Sequence, residues 1–242
     1  MANIFSKIFK KKNKSISNVP EIVVSDMPGS VNECYTRLRD NVIYYSDSGK
    51  NKVYQIESSI SGEGKSTISA NLAVSLVKSG KKVLLIDLDF RRPMVHKIFK
   101  VANFNGLAEY MLDECDKKDL VKTTDYGVDI INRGKLVHNT SLIFMAEKFK
   151  SVIEELKEQY DVVLLDCPPV LQVSDYMHIS KISDSVVFIV SNGKVRRSQV
   201  KEAFELLRRE DIKIFGTVLT ADSSFRAYKD RYHYYGGYYT EK

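Results

Sequence analysis

Residues 58–67 read SSISGEGKST and lie between an apolar run and a helical pattern. A backbone loop that holds phosphate needs that context. Gly62 and Gly64 let the chain curl until its amide N–H groups point inward at an anion. A helix beginning near Lys65 adds the positive end of its dipole. The anion-binding set is therefore Ser59, Ile60, Ser61, Gly62, Glu63, Gly64, Lys65, Ser66 and Thr67. Lys65 reaches the outer phosphates, the Ser66 hydroxyl ligates a divalent cation, and Thr67 touches the inner phosphate. The strict pattern has glycine at position 59, where this chain has serine. That substitution removes none of the polar groups.

Two further runs carry acids. VLLIDLDFRRP ends in Asp87 and Asp89, two residues apart, which strand alternation places on one face at the carboxyl edge of a sheet. VVLLDCPP ends in Asp166, after which Pro168 and Pro169 stop the strand. One such acid is ordinarily a cap for the next turn. Three beside a phosphate loop indicate a magnesium–ATP site. Ser66, Asp89 and Asp166 are assigned to the metal, and Asp87 to the base that orients or deprotonates an acceptor hydroxyl. Lys65 and Asp89 complete the catalytic set. Arg91 and Arg92 follow the acid pair, and Arg196 and Arg197 follow another strand at the same edge. They read first as solvated, with Arg91 also placed to meet a neighbouring subunit or a phosphorylated product.

Alternating elements position these residues. Strand-like runs VYQIES, KVLLID, VDIIN, DVVLLD, SVVFIV and KIFGTVL alternate with helical stretches at 66–80, 141–160 and 198–210. Continuous apolar strands separated by helices indicate an α/β fold, a mostly parallel sheet covered on both faces. Ligands of such sheets bind at the carboxyl edge. Gly80 is expected to end the first crossover helix. Ser30 and Glu33 suggest a capping box opening an earlier helix. The chain divides into a basic leader and linker (1–29), one domain (30–225) and a flexible tyrosine-rich tail (226–242).

The chain of 242 residues carries a net charge of +6. Its first fourteen residues hold five lysines and no acid, with Ile4, Phe5, Ile8 and Phe9 on one helical face. This pattern suits either an anionic membrane surface or a solvated leader. No basic stripe continues into the domain, which argues against nucleic acid. Cys34, Cys115 and Cys167 lack metal-like spacing and read as free thiols of a reducing cytosol. No apolar run reaches the roughly 20 residues that span a bilayer.

The last fifteen residues, YKDRYHYYGGYYTEK, contain six of the fourteen tyrosines: Tyr228, Tyr232, Tyr234, Tyr235, Tyr238 and Tyr239. Together, SSISGEGKST, LLIDLDFR, VLLDCPP and this terminal cluster resemble the bacterial tyrosine kinases, over nearly the whole chain from about Ser30. The family is similar in fold to the MinD and ParA ATPases. Those carry a lysine where this chain has Ile60, so a MinD/ParA-like switch that binds partners without kinase activity is the alternative function.

The resemblance implies a cytoplasmic, ATP-dependent kinase that phosphorylates its own tail tyrosines in trans and regulates capsular or extracellular polysaccharide synthesis and export. It implies a free-standing form activated by the cytoplasmic segment of a transmembrane partner, a polysaccharide co-polymerase, at the inner face of the membrane. It also implies a homo-oligomeric ring packed through a Glu-x-x-Arg-x-x-Arg helix. Glu33 and Arg39 match that motif, while Thr36 replaces its middle arginine and Arg37 lies one position out of step, which weakens the case for a ring. HNTS (138–141) stands in place of an Asn-Pro loop. Thr220 replaces an asparagine near the base, which suggests looser base selectivity.

Overall fold

The computed structural model describes residues 19, 20, 22 and 30–220. The leader, most of the linker and all six tail tyrosines lie outside the described residues. Among the described residues no helix is long and apolar enough to cross a membrane.

Helix α1 (Ser30–Asp47) precedes strand β1 (Val53–Ser58) and helix α2 (Lys65–Lys78). Then come β2 (Val83–Asp87), two short helices, α3 (Val95–Ile98) and α4 (Leu107–Met111), and strands β3 (Lys122–Thr123) and β4 (Asp129–Ile131). Helices α5 (Thr140–Met145) and α6 (Glu147–Lys157) lead into β5 (Val162–Asp166), and α7 (Tyr176–Ile179) into β6 (Ser185–Ser191). Helix α8 (Arg197–Arg209) and β7 (Ile214–Thr220) complete the order. The seven strands form one sheet, β3-β4-β2-β5-β1-β6-β7. Every pairing is parallel except β3 with β4. The expected mostly parallel sheet is therefore present.

Both faces are buried, and the period of two decides which residue goes where. Tyr54 and Ile56 of β1, Leu85 of β2 and Leu164 of β5 join the core beneath α1 and α2, with Leu72 and Leu76. Leu84, Ile86, Val163 and Leu165 face the other way, onto Phe149, Val152, Ile153 and Leu156 of α6. Each fully buried leucine or phenylalanine contributes about 1.5–3 kcal/mol. By the same alternation Ser58, Asp87 and Asp166 fall on the α2 side and Glu57 on the other.

The structure corrects several expectations. The helical stretch 141–160 is broken at Ala146, whose backbone is extended (φ −71°, ψ 135°). In one continuous helix Ile143 and Phe144 would point roughly 180° away from Phe149, Val152, Ile153 and Leu156. The break turns both groups onto the same core, where the Phe144 and Phe149 rings meet at 5.3 Å. Glu33 pairs with Arg37 one turn on in α1, while the side chain of Ser30, the other member of the expected capping box, lies outside the described residues. Strand β2 ends at Asp87, leaving Asp89 in the following turn. The two-residue β3, paired across the turn at Gly127, had no strand signal of its own. Gly80 closes α2 as expected: its φ is +88°, its N–H bonds to Val77 O, and that of Lys81 bonds to Leu76 O.

Candidate active site

The phosphate loop crosses the sheet between β1 and α2. Gly62 (φ +80°) and Gly64 (φ +100°) hold left-handed backbone that side chains resist, and Gly64 is the residue preceding α2. The buried Lys65 ammonium donates to Ser58 Oγ at 3.1 Å. The hydroxyl of Ser59 is buried without a partner. Glu63 is fastened inside the loop: Oε2 accepts from Ile60 N at 2.8 Å, and Oε1 accepts from Ser191 N at 3.0 Å. Thr67 lines a groove of about 1030 Å³ together with Gly62, Glu63, Gly64, Lys194 and Thr220.

The acids flank this loop. Asp87 and Asp166 are register partners on the adjacent strands β2 and β5, and both are fully buried. Asp87 Oδ2 accepts from the backbone N–H groups of Met94 and Val95, each at 3.0 Å, which fixes the start of α3. Asp87 Oδ1 and Asp166 Oδ2 are buried without partners. Asp166 Oδ1 accepts from Ser69 at 3.3 Å and the carboxylate is also bonded by Ser66, both on α2. Asp89 Oδ1 accepts from Arg91 N and Arg92 N at 3.2 and 2.9 Å, closing the turn after β2. The arginine side chains are exposed, and Arg92 Nη1 lies 3.3 Å from Ser61 Oγ.

Burial dominates the electrostatics. The Asp87 carboxyl is pushed well above the ordinary carboxylate range, first by desolvation and then by the charge of Asp166. Asp166 is raised to about 6 by burial, an effect that Ser66 and Lys65 partly offset. Two buried carboxyls side by side, each with a partnerless oxygen, favour either a proton or a cation between them. Among the described residues no group of three His, Cys, Asp or Glu side chains could hold a metal. Two carboxylates and a hydroxyl are instead a set of oxygen donors that suits a hard cation such as magnesium.

Other site features had not been singled out from the sequence. Glu57 lies fully buried on the opposite face, bonded by Gln55 Nε2 at 3.1 Å, and desolvation raises its pKa well above the usual range. Glu63 had been counted only among the loop residues, yet it ties the loop to the turn after β6. Thr220, expected near a base, spends its hydroxyl on Glu63 O at 3.1 Å. The two oligomerisation candidates are engaged within their own helix, Glu33 with Arg37 and Arg39 with Asp40.

A glycine-rich loop at the centre of a parallel sheet, opening a helix and flanked by acids from neighbouring strands, defines a P-loop nucleoside-triphosphatase domain. A family model described as an AAA domain matches residues 51–205. The chain is 32% identical over 228 residues to the tyrosine-protein kinase YwqD of Bacillus subtilis, covering 93% of this chain and 95% of that protein. The crystal structure of the chimerical protein CapA2B2 superposes with a TM-score of 0.77 at 32% identity, covering 82% of this chain and 88% of that one. MinD from Pyrococcus horikoshii, complexed with Mg-ADP, aligns at TM-score 0.59 and 25% identity over 69% of each chain. The chain belongs to the bacterial tyrosine-kinase family.

Proposed function

We propose that the chain is an ATP-dependent protein-tyrosine autokinase whose substrates are the tyrosines of its own tail, Tyr228, Tyr232, Tyr234, Tyr235, Tyr238 and Tyr239. The observation that carries the chemistry is the pair of partnerless oxygens on Asp87 and Asp166, buried side by side on strands flanking the phosphate loop. Residues 59–67 enclose the polyphosphate, and the Lys65 ammonium exchanges Ser58 for phosphate oxygen. Ser66, Asp89 and Asp166 would hold magnesium, which would supply positive charge against the phosphates. The tyrosine O–H gives its proton to Asp87 Oδ1. The phenolate oxygen then bonds to the γ-phosphorus as the bond to the β–γ bridging oxygen breaks, and ADP leaves. A carboxylate of raised proton affinity accepts that proton better than a surface one.

Reaction in trans, activation by the cytoplasmic segment of a transmembrane partner, and a role in capsular or extracellular polysaccharide synthesis at the inner membrane face belong to the same reading. The CapA2B2 likeness supports the partner, and the lysine-rich residues 1–14 support the location. Assembly through Glu33 and Arg39 requires both side chains to leave the partners they hold within α1.

Incubating the purified chain with Mg-ATP, with and without an activator segment, should give phosphotyrosine in the tail. Its absence under both conditions sinks the kinase reading. Mixing a Lys65→Met chain with one whose six tail tyrosines are Phe tests direction. Phosphate on the Lys65→Met tail requires transfer between molecules.

A further inference from the structure

The loop has a charge problem. Glu63, Asp87, Asp89 and Asp166 lie in it or beside it, and among the described residues Lys65 is its one buried ammonium. A nucleoside polyphosphate adds more negative charge, so cations from outside the loop matter to its binding. Two exposed cationic side chains hydrogen-bond to the loop from outside. Arg92 meets a neutral hydroxyl at 3.3 Å. Lys194, in the turn after β6, donates to the Gly62 carbonyl at 2.7 Å and lines the groove beside Gly64, Thr67 and Thr220. Its ammonium lies close against the loop backbone, 2.4 Å from where a Cβ on Gly62 would stand.

This placement is built into the fold. Glu63, 1% exposed, bonds the N–H of Ser191 with one oxygen and that of Ile60 with the other. The Ser191 carbonyl in turn accepts from Lys194 N at 3.2 Å and Val195 N at 3.3 Å. Asn192 N bonds to Thr220 O at 2.9 Å, and the Thr220 hydroxyl returns to Glu63 O. A buried carboxylate thus ties the turn to the loop, and the turn carries its lysine over the loop's mouth.

We infer that Lys194 is a polyphosphate ligand: the Gly62 carbonyl holds its ammonium at the mouth of the loop, and a phosphate oxygen of the nucleotide takes the place of that carbonyl on binding. Glu63 is the positioning residue. The inference rests on the reading of residues 59–67 as a nucleotide site and adds to it a contact from a different part of the chain. It is independent of what accepts the phosphoryl group.

The test is calorimetric binding of Mg-ATP and Mg-ADP to the full chain. Lys194→Ala should weaken both about 10- to 30-fold, the usual contribution of one charge-assisted hydrogen bond. Lys194→Arg should stay within about threefold, and the salt dependence of binding should be shallower in the alanine variant. Because Lys194 is exposed, its thermal midpoint without nucleotide should match that of the unaltered chain. Glu63→Gln should weaken binding too, because an amide donor would face the N–H of either Ile60 in the loop or Ser191 in the turn. Affinity of Lys194→Ala within twofold of the unaltered chain overturns the inference, as does tighter binding, which would make the ammonium a plug. If the unaltered chain binds neither nucleotide, the nucleotide reading fails and the inference with it. Binding without phosphotyrosine formation removes only the kinase reading.

Discussion

The centre of the sheet and its β7 edge are made from similar apolar strands and finished in opposite ways. Every residue of β1, β2 and β5 is buried, and their carboxyl ends carry a loop, an ammonium and two carboxyls whose hydrogen bonds leave specific oxygens free. Strand β7 is nowhere fully buried, Leu219 is 66% exposed, and Thr220 opens onto the groove. The centre is desolvated and fixed by hydrogen bonds within the chain, as charge stabilisation in phosphoryl transfer requires. The edge is open, and Glu63 links it to the loop through Ser191 N and the Thr220 hydroxyl. Chemistry is thereby separated from recognition within about 20 Å, four strand spacings from β2 to β7.

Substitutions at the two ends should have unequal effects. The largest belongs to Lys65→Met, which should abolish measurable nucleotide binding and reduce tail phosphorylation roughly a thousandfold, read by calorimetry and anti-phosphotyrosine blotting. Asp87→Asn should slow transfer by about 10²–10⁴-fold while ATP affinity changes little, because the amide oxygen still accepts from Met94 and Val95. If transfer survives, the base is elsewhere.

The third effect is on stability. The Asp166 pKa stands at about 6, raised from an ordinary 3.8. A carboxyl raised on folding contributes stability fully below its unfolded pKa and loses it as pH rises through the folded one. The magnesium-free protein should therefore lose on the order of 2–3 kcal/mol between about pH 4 and about pH 6. Asp166→Asn should melt several degrees higher than the unaltered chain above neutrality without magnesium, and lose the stabilisation that added magnesium gives. Equal melting temperatures would show that the pair is not strained.

The smallest effect is at the edge. Since Thr220 spends its hydroxyl on Glu63, ATP and GTP should compete within about tenfold of each other, a difference of about 1.4 kcal/mol. Thr220→Asn should widen that ratio in favour of ATP. A wild-type preference above a hundredfold would mean that recognition at the edge is as fixed as chemistry at the centre.

This contrast also explains what the sequence disclosed. Strands β2, β5 and β6 are nearly continuous apolar runs because both of their faces are buried, so the parallel sheet and the acids at its edge were legible. The α5–α6 break was legible in principle, since Ile143–Phe144 and Phe149–Leu156 fall on opposite sides of a continuous helix. The hydrophobic run masked it. Two-residue β3 carries too little pattern to be seen. The Glu63–Ser191 bond joins residues 128 positions apart, and no local spacing encodes it. Lys194 gave no signal for the same reason: an exposed lysine in a turn is ordinary until the fold brings the loop beneath it.

Asp87 serves two masters. One of its oxygens anchors the first amides of α3, and the other is buried without a partner, the oxygen proposed to take the proton. A related chain that abandoned phosphoryl transfer would still need an acid there to start that helix, and would go on carrying it for folding alone. An aspartate at this position is thus a poor witness to activity across the family. Asp166, which burial makes costly to retain without a cation, is the better one.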